Sequence, residues 1–115
     1  MTLPNGNRAV VDISKLSDYC LNPLHEGGKH KARVFAAALG IGRIHAGWLR
    51  DRLLEAAVRE EAFVTAETRF GTLSVVDFLL TSASRAAEVR SGWIVRQSED
   101  FPRLTTCYVR GSVMP

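Results

Sequence analysis

Long apolar runs are absent from this sequence. The segment from Met1 to Asp12 has no apolar core of the kind that a secretory signal needs, and no stretch approaches the ~18 apolar residues of a membrane-spanning helix. We therefore expect a domain that folds in water, without a membrane segment, and that works in the cytoplasm.

Cysteine is scarce. Cys20 and Cys107 are the only two, and they lie far apart in the sequence. No CxxC or other metal-ligand spacing occurs, so the usual zinc arrangements are excluded. We expect two free thiols in a reducing compartment, and a single disulfide between them stays open as the alternative.

Several catalytic signatures are also missing. There is no HExxH, no GxSxG and no GxGxxG, and Gly27-Gly28 is too short for a Walker loop. The acidic pairs Glu60-Glu61 and Glu99-Asp100 are typical of solvated ends of helices and strands. Acid–base chemistry without a metal or any other cofactor is the only enzymatic interpretation that the residues support, and a metal-dependent DNase is disfavoured.

What the chain does contain suits one domain with one core. It has 115 residues, of which 46% are hydrophobic and 23% charged. The formal net charge is +3 and the isoelectric point is about 9.2. This mild basic excess permits a polyanionic partner without demonstrating one.

Helical periodicity is confined to the first half. Ser14 is a candidate cap for the first helix, and Gly40 is a natural stop for the second. The turn-rich residues Leu3–Asn7 are expected to form an extended lead-in. Three helices are predicted, over Lys15–Leu21, Lys29–Leu39 and Ala46–Arg59.

The second half has the alternation typical of strands. Arg69–Thr72 can close a hairpin between the first two. The predicted class is α+β, with about three N-terminal helices followed by a four-stranded antiparallel sheet. The strands are predicted over Phe63–Phe70, Thr72–Leu80, Ala87–Val95 and Leu104–Val109. The side chains expected in the core are Phe35, Leu39, Leu49, Leu53, Val89 and Trp93.

Cations crowd the start of the second helix, in the segment His25–Arg33. A helix N-terminus presents unpaired N–H groups and attracts anions, so cations there are unfavourable unless an anion binds. Lys31 leans over the apolar stripe more than Lys29 does and is the better candidate to face a cleft. His25 is the best acid–base candidate, and His30 lies inside the helix start. A solvated basic turn would give the same pattern.

The last strand is the second candidate for chemistry. Strict alternation would put Leu104, Thr106, Tyr108 and Arg110 on one face. Hydroxyl groups beside a cation could hold a phosphate or a leaving oxygen, with Arg103 and Arg110 binding substrate alongside Lys29 and His30. The plainer interpretation is that threonine and tyrosine are good strand formers.

These stretches resemble a known family. Leu21–Phe35 reads LNPLHEGGKHKARVF, Leu3–Val11 reads LPNGNRAVV, and the end of the chain contains Trp93-Ile94-Val95 and then PRLTTCY over Pro102–Tyr108. All three resemble segments of the bacterial domain family DUF6883. The resemblance therefore covers almost the whole chain.

Members of that family resemble C-terminal modules of bacterial polymorphic and contact-dependent toxins. Their order of helices and strands is similar to the barnase–EndoU–colicin–RelE group of ribonucleases, which is an analogy of fold alone. By that analogy residues 1–115 form a single toxin-like ribonuclease domain.

The analogy implies two sets of catalytic residues. They are His25, Lys31 and Arg33 from the helices, and Thr106 and Tyr108 from the sheet. Glu26 stands where the group usually has proline after the histidine. An acidic residue at this position either favours the charged form of the histidine or marks an inactive member.

Two functions follow from this reasoning. The first is a metal-independent endoribonuclease toxin that cleaves RNA by 2′-OH attack. Its partner would be an acidic immunity protein or antitoxin, and it could be delivered into a target cell as part of a secreted toxin. The alternative is a non-catalytic module that binds protein or nucleic acid.

Overall fold

Helices cover one face of an antiparallel sheet. A computed structural model gives the structure, and it describes residues 1–112. The two main helices are α1, Lys29–Leu39, and α2, Ala46–Arg59. The strands are β1 (Ala62–Thr68), β2 (Gly71–Ser82), β3 (Arg85–Arg96) and β4 (Arg103–Ser112), paired in that order. The predicted α+β class, with helices first and the sheet after, is confirmed.

Both main helices have the bounds that their periodicity predicts. Gly40 ends α1 in the left-handed conformation, with φ 69°, and its N–H donates to the Ala36 carbonyl. No helix among residues 1–112 is long and apolar enough to cross a membrane.

The first predicted helix is present, but it is a π-helix over Leu16–Cys20. A π-helix has hydrogen bonds between residues five apart, instead of four as in an α-helix. Here the Leu21 N–H donates to the Leu16 carbonyl at 2.8 Å. The prediction that Ser14 caps it is wrong. The Asp12 carboxylate accepts hydrogen bonds from both the N–H and the hydroxyl of Ser14, at 3.0 and 2.8 Å. Asp12 therefore stabilises the turn that precedes the helix.

The lead-in is less extended than predicted. Gly6–Arg8 form a short 3-10 helix against α2, where a Cβ on Gly6 would lie 2.3 Å from the Ala57 carbonyl oxygen. The chain then pairs with the start of β4: the Val10 N–H donates to Pro102 and the Val10 carbonyl accepts from Leu104. The lead-in therefore covers the first part of this edge strand.

The core lies between the helices and the sheet. All six side chains predicted there are buried, with exposures of 0–2%. The Trp93 indole N–H donates to the Ser91 hydroxyl at 2.9 Å, and that hydroxyl donates to the Val76 carbonyl at 2.8 Å. The indole N–H and the serine hydroxyl, both polar groups inside the core, thus each have a partner.

Strict alternation fails in β4. A bulge at Thr105 places two residues, Thr105 and Thr106, opposite Gly92. Leu104 and Cys107 are consequently both buried, and the prediction that Leu104 shares a face with Thr106 and Tyr108 is wrong. The bulge depends on the glycine at position 92, because a Cβ there would lie only 2.8 Å from the Thr105 hydroxyl oxygen.

Candidate active site

The start of α1 packs closely on the π-helix. A Cβ on Gly28 would lie 2.1 Å from the Tyr19 carbonyl oxygen, so only glycine permits this approach. The contact brings the side chains at the beginning of α1 next to Tyr19.

Lys31 and Tyr19 form the centre of the site. The Lys31 ammonium donates to the Tyr19 hydroxyl at 3.0 Å and lies 6.0 Å from the centre of the Tyr108 ring. The hydrogen bond to Tyr19 raises the pKa of Lys31, and partial burial opposes that effect. Lys31 is therefore held as a cation, which can bind an anion but cannot act as a base near neutral pH.

His25 packs edge-on against the other side of this tyrosine, with the two ring centres 5.0 Å apart. Its Nδ1 accepts the N–H groups of Gly27 and Gly28 at 2.9 and 3.0 Å. Because Nδ1 is an acceptor, the neutral ring carries its proton on Nε2. His25 thus caps backbone groups ahead of α1 and offers an N–H donor to the solvent.

Two open cavities adjoin the Tyr19–Lys31 pair, one at each residue. One, of about 470 Å³, is lined by Ser14, Lys15, Asp18, Tyr19, His25, Thr105 and Thr106. The other, of about 310 Å³, is lined by His30, Lys31, Val34, Tyr108 and Val109. We refer to these two cavities together as the cleft; their lining residues come from α1, the π-helix and its flanking turns, and the edge strand β4.

A larger groove, of about 610 Å³, lies between the N-terminal residues and β1. It is mostly apolar, with no histidine or lysine among its lining residues. The cleft is therefore the better candidate for anion chemistry.

Four of the predicted catalytic residues line the cleft: His25 and Thr106 in one cavity, and Lys31 and Tyr108 in the other. Tyr108 contributes its ring, because its hydroxyl lies beside the Arg90 guanidinium. Arg33 is on the exposed side of α1 and lines neither cavity. The catalytic roles of these residues stay predictions.

Of the predicted substrate-binding residues, only His30 lines the cleft. The other three have carboxylate partners. Lys29 lies 3.6 Å from Glu26; Arg103 makes two 2.8 Å bonds to Glu99; Arg110 bonds to Asp77 at 2.9 Å and to Glu88 at 3.2 Å. A phosphate would have to compete with these carboxylates.

Sequence reasoning missed Tyr19. The tyrosine lies twelve positions before Lys31, in a different element, and no helical or strand spacing relates the two. The one available signal was Gly28, since a glycine at a helix start indicates a close backbone approach. Gly28 alone does not identify the residue that packs against it.

Among residues 1–112, no three histidine, cysteine, aspartate or glutamate side chains come together as metal ligands. The groups that the cleft offers are hydroxyls, the ammonium groups of Lys15 and Lys31, imidazole N–H and the carboxylate of Asp18. All of these except the carboxylate can donate hydrogen bonds to an anion.

Fold and site together define a class: a small α+β domain with a cleft lined by lysine, histidine and hydroxyl side chains where its helices meet the edge of an antiparallel sheet. The family model described as "Domain of unknown function (DUF6883)" matches residues 2–111, and the chain belongs to this family. A comparison with curated proteins finds no match.

Proposed function

We propose that this domain is an endoribonuclease that needs no metal and that binds the scissile phosphate in the cleft. The observation that carries the proposal is the Lys31 ammonium, held charged by Tyr19 and open to a cavity at the start of a helix. Preorganised donors of this kind stabilise the negative charge that develops on phosphorus oxygens.

The reaction is attack of the RNA 2′-hydroxyl on the adjacent phosphorus, which expels the 5′-oxygen and leaves a cyclic phosphate. Lys31 stabilises the charged intermediate. Tyr19 accepts a hydrogen bond from Lys31, so its own proton is free to go to a phosphate or leaving oxygen. Thr106 lines the neighbouring cavity and donates from its hydroxyl.

His25 takes part as a donor in this arrangement. Its Nε2–H can bind a phosphate oxygen, whereas a base needs a free lone pair, and the Nδ1 lone pair is engaged by two amides. The 2′-hydroxyl proton then passes to water. A base role for His25 would require the ring to release Gly27 and Gly28.

The second candidate is a module that binds RNA or an acidic protein without cleaving it. The engagement of His25 Nδ1 favours this candidate, because it occupies the lone pair of the histidine that was the best candidate for proton abstraction. The same cation and hydroxyls would then serve as an anion-binding surface.

One experiment separates the two. Purified protein is incubated with labelled RNA in EDTA, and cleavage and binding are measured together. Cleavage that Lys31→Ala lowers about 10²–10³-fold supports the nuclease, by the usual effect of removing a charge-stabilising group. Lys29→Ala is the matched control, since Lys29 pairs with Glu26 and should change cleavage little. Binding without cleavage supports the module.

The toxin role belongs to the same proposal and rests on the family resemblance. An inhibitor of this nuclease would be an acidic immunity protein or antitoxin that covers the cleft. Its association would weaken as salt increases, because charge complementarity is screened. An inhibitor that leaves His25 and Lys31 accessible to modification would contradict this placement.

A further inference from the structure

The two cysteines meet beneath the cleft. Cys20 ends the π-helix, Cys107 lies in β4, and both are buried at 0% exposure in the same core cluster. The Cys20 Sγ lies 4.0 Å from the hydroxyl of Thr106, the residue before Cys107. The two cysteines are therefore neighbours in the core, one on the π-helix and one on β4.

Their surroundings make the two thiols unequal. The neighbouring Cys107 lowers the pKa of Cys20, helped by the Lys31 charge and opposed by burial. The same pairing, together with deep burial, raises the pKa of Cys107. Cys20 is therefore the thiol of the pair that ionises first, and the thiolate is the reactive form.

We propose that Cys20 and Cys107 form a peroxide-sensitive dithiol that closes to an intramolecular disulfide beneath the cleft. The Cys20 thiolate attacks hydrogen peroxide, breaking its O–O bond, and becomes a sulfenic acid while the other oxygen leaves as hydroxide. Cys107 sulfur then attacks the Cys20 sulfur and expels the sulfenic oxygen, which takes up protons and leaves as water. Two electrons pass from the thiols to one peroxide, and the products are one disulfide and two waters.

Neither cysteine lines the cavity beside the pair, and both are fully buried. The cavity is lined by Tyr19 and Thr106, the chain neighbours of Cys20 and Cys107. An oxidant would reach the sulfurs from there only when these neighbours move. Hydrogen peroxide is little larger than water and needs the smallest movement, so we expect it to react where a protein thiol or a bulky disulfide does not.

The disulfide would change the cleft because both cysteines are attached to residues that line it. Tyr19 precedes Cys20, and Thr106 and Tyr108 flank Cys107, so a new covalent bond ties the π-helix to β4. The inference rests on the core geometry and holds whether or not the domain cleaves RNA.

The test uses the full chain, folded and reduced, at neutral pH. After treatment with peroxide, we expect both free thiols to disappear, the intact mass to fall by two hydrogens, and peptide mapping to link Cys20 with Cys107. A reducing agent should restore the thiols. Chains linked to one another, thiols that stay free, or a mass gain from stable sulfinic acid would overturn the proposal.

Two variants complete the test. Lys31→Met should slow oxidation several-fold at neutral pH, because it removes a charge that favours the Cys20 thiolate. Lys29→Met removes the same charge from a residue paired with Glu26 and should leave the rate unchanged. Circular dichroism before oxidation checks that both variants fold, and equal slowing of both would contradict the role given to Lys31.

Discussion

The Lys31 ammonium bonds to the Tyr19 hydroxyl at 3.0 Å while lying 5.1 Å from the centre of the same ring. The tyrosine therefore meets the cation with its hydroxyl oxygen, at the edge of the ring. This pair joins the π-helix to α1 and fixes the position of the cation in the cleft.

Replacing Tyr19 by phenylalanine keeps the ring and removes the oxygen. The pKa of Lys31, raised in the folded protein mainly by this hydrogen bond, should fall towards its ordinary 10.5. The loss in unfolding free energy should be about 0.5–1.5 kcal/mol. A group whose pKa is raised on folding adds its full contribution to the free energy of unfolding at pH values below its pKa in the unfolded chain. That contribution disappears as pH rises through the pKa in the folded protein. The loss should therefore be constant at neutral pH and shrink above pH 10.5.

The measurement is an NMR titration of the lysine side chain beside urea unfolding at several pH values. Tyr108→Phe is the control, because its ring is 6.0 Å from the ammonium and its hydroxyl lies beside Arg90. Equal changes in the two variants would show that the Tyr19 hydroxyl has no special role.

The two adjacent glycines before α1 should differ in their tolerance of alanine. A Cβ at Gly28 would lie 2.1 Å from the Tyr19 carbonyl oxygen, whereas one at Gly27 would lie 3.4 Å from the His25 ring. Gly28→Ala should cost about 1–3 kcal/mol through overpacking, and Gly27→Ala under about 0.5 kcal/mol. Chemical denaturation checks both, and a neutral Gly28→Ala would mean that α1 and the π-helix are less closely packed than described.

Asp77 should make stability depend on pH in the acid range. Its pKa is lowered, first by the hydrogen bonds from Arg90 and then by the charge of Arg110. A group with a depressed pKa stabilises the fold above its unfolded pKa, and the contribution is lost as pH falls through the folded value. Asp77→Asn should cost about 1–3 kcal/mol at pH 7, and the cost should shrink below pH 3.8. Asp51→Asn, on the exposed side of α2, should have little effect at either pH.

The elements that the sequence predicted best are those determined by local rules. The apolar stripe of Ala32, Phe35 and Leu39 and the stop at Gly40 depend on neighbours in one helix, and the bounds of α1 came out as predicted. The hairpin turn at Arg69-Phe70 is likewise a local feature.

The site could be predicted only in part, because it is assembled by tertiary contacts. The bulge at Thr105 depends on the room left by Gly92 in the next strand, so alternation within β4 could not reveal it. The pairing of Lys31 with Tyr19 depends on how the π-helix packs against α1. His25 and Lys31 both contact Tyr19, and the acceptor role of His25 Nδ1 follows from the backbone amides that the turn presents.

That acceptor role predicts which nitrogen of His25 carries the proton. In the neutral ring the proton should be on Nε2, because a proton on Nδ1 would face two amide N–H groups and cost both hydrogen bonds. Nitrogen-15 NMR of labelled histidines distinguishes the two forms directly. His45, whose Nδ1 accepts the Gly42 N–H at 2.9 Å, should give the same signature, and the exposed His30 provides a comparison within the chain.

The same contact affects how a His25 variant must be interpreted. His25→Ala removes the acceptor for Gly27 and Gly28 and should lower the unfolding free energy by about 0.5–2 kcal/mol, as losing a helix cap does.

His25→Asn offers a replacement oxygen and should recover part of that loss without supplying an imidazole. If the asparagine variant regains stability but not cleavage, the imidazole acts on RNA. If it regains both, His25 serves the site through the backbone that it holds. An Nδ1 proton in the RNA-bound protein would instead show that the ring releases the amides and acts as a base.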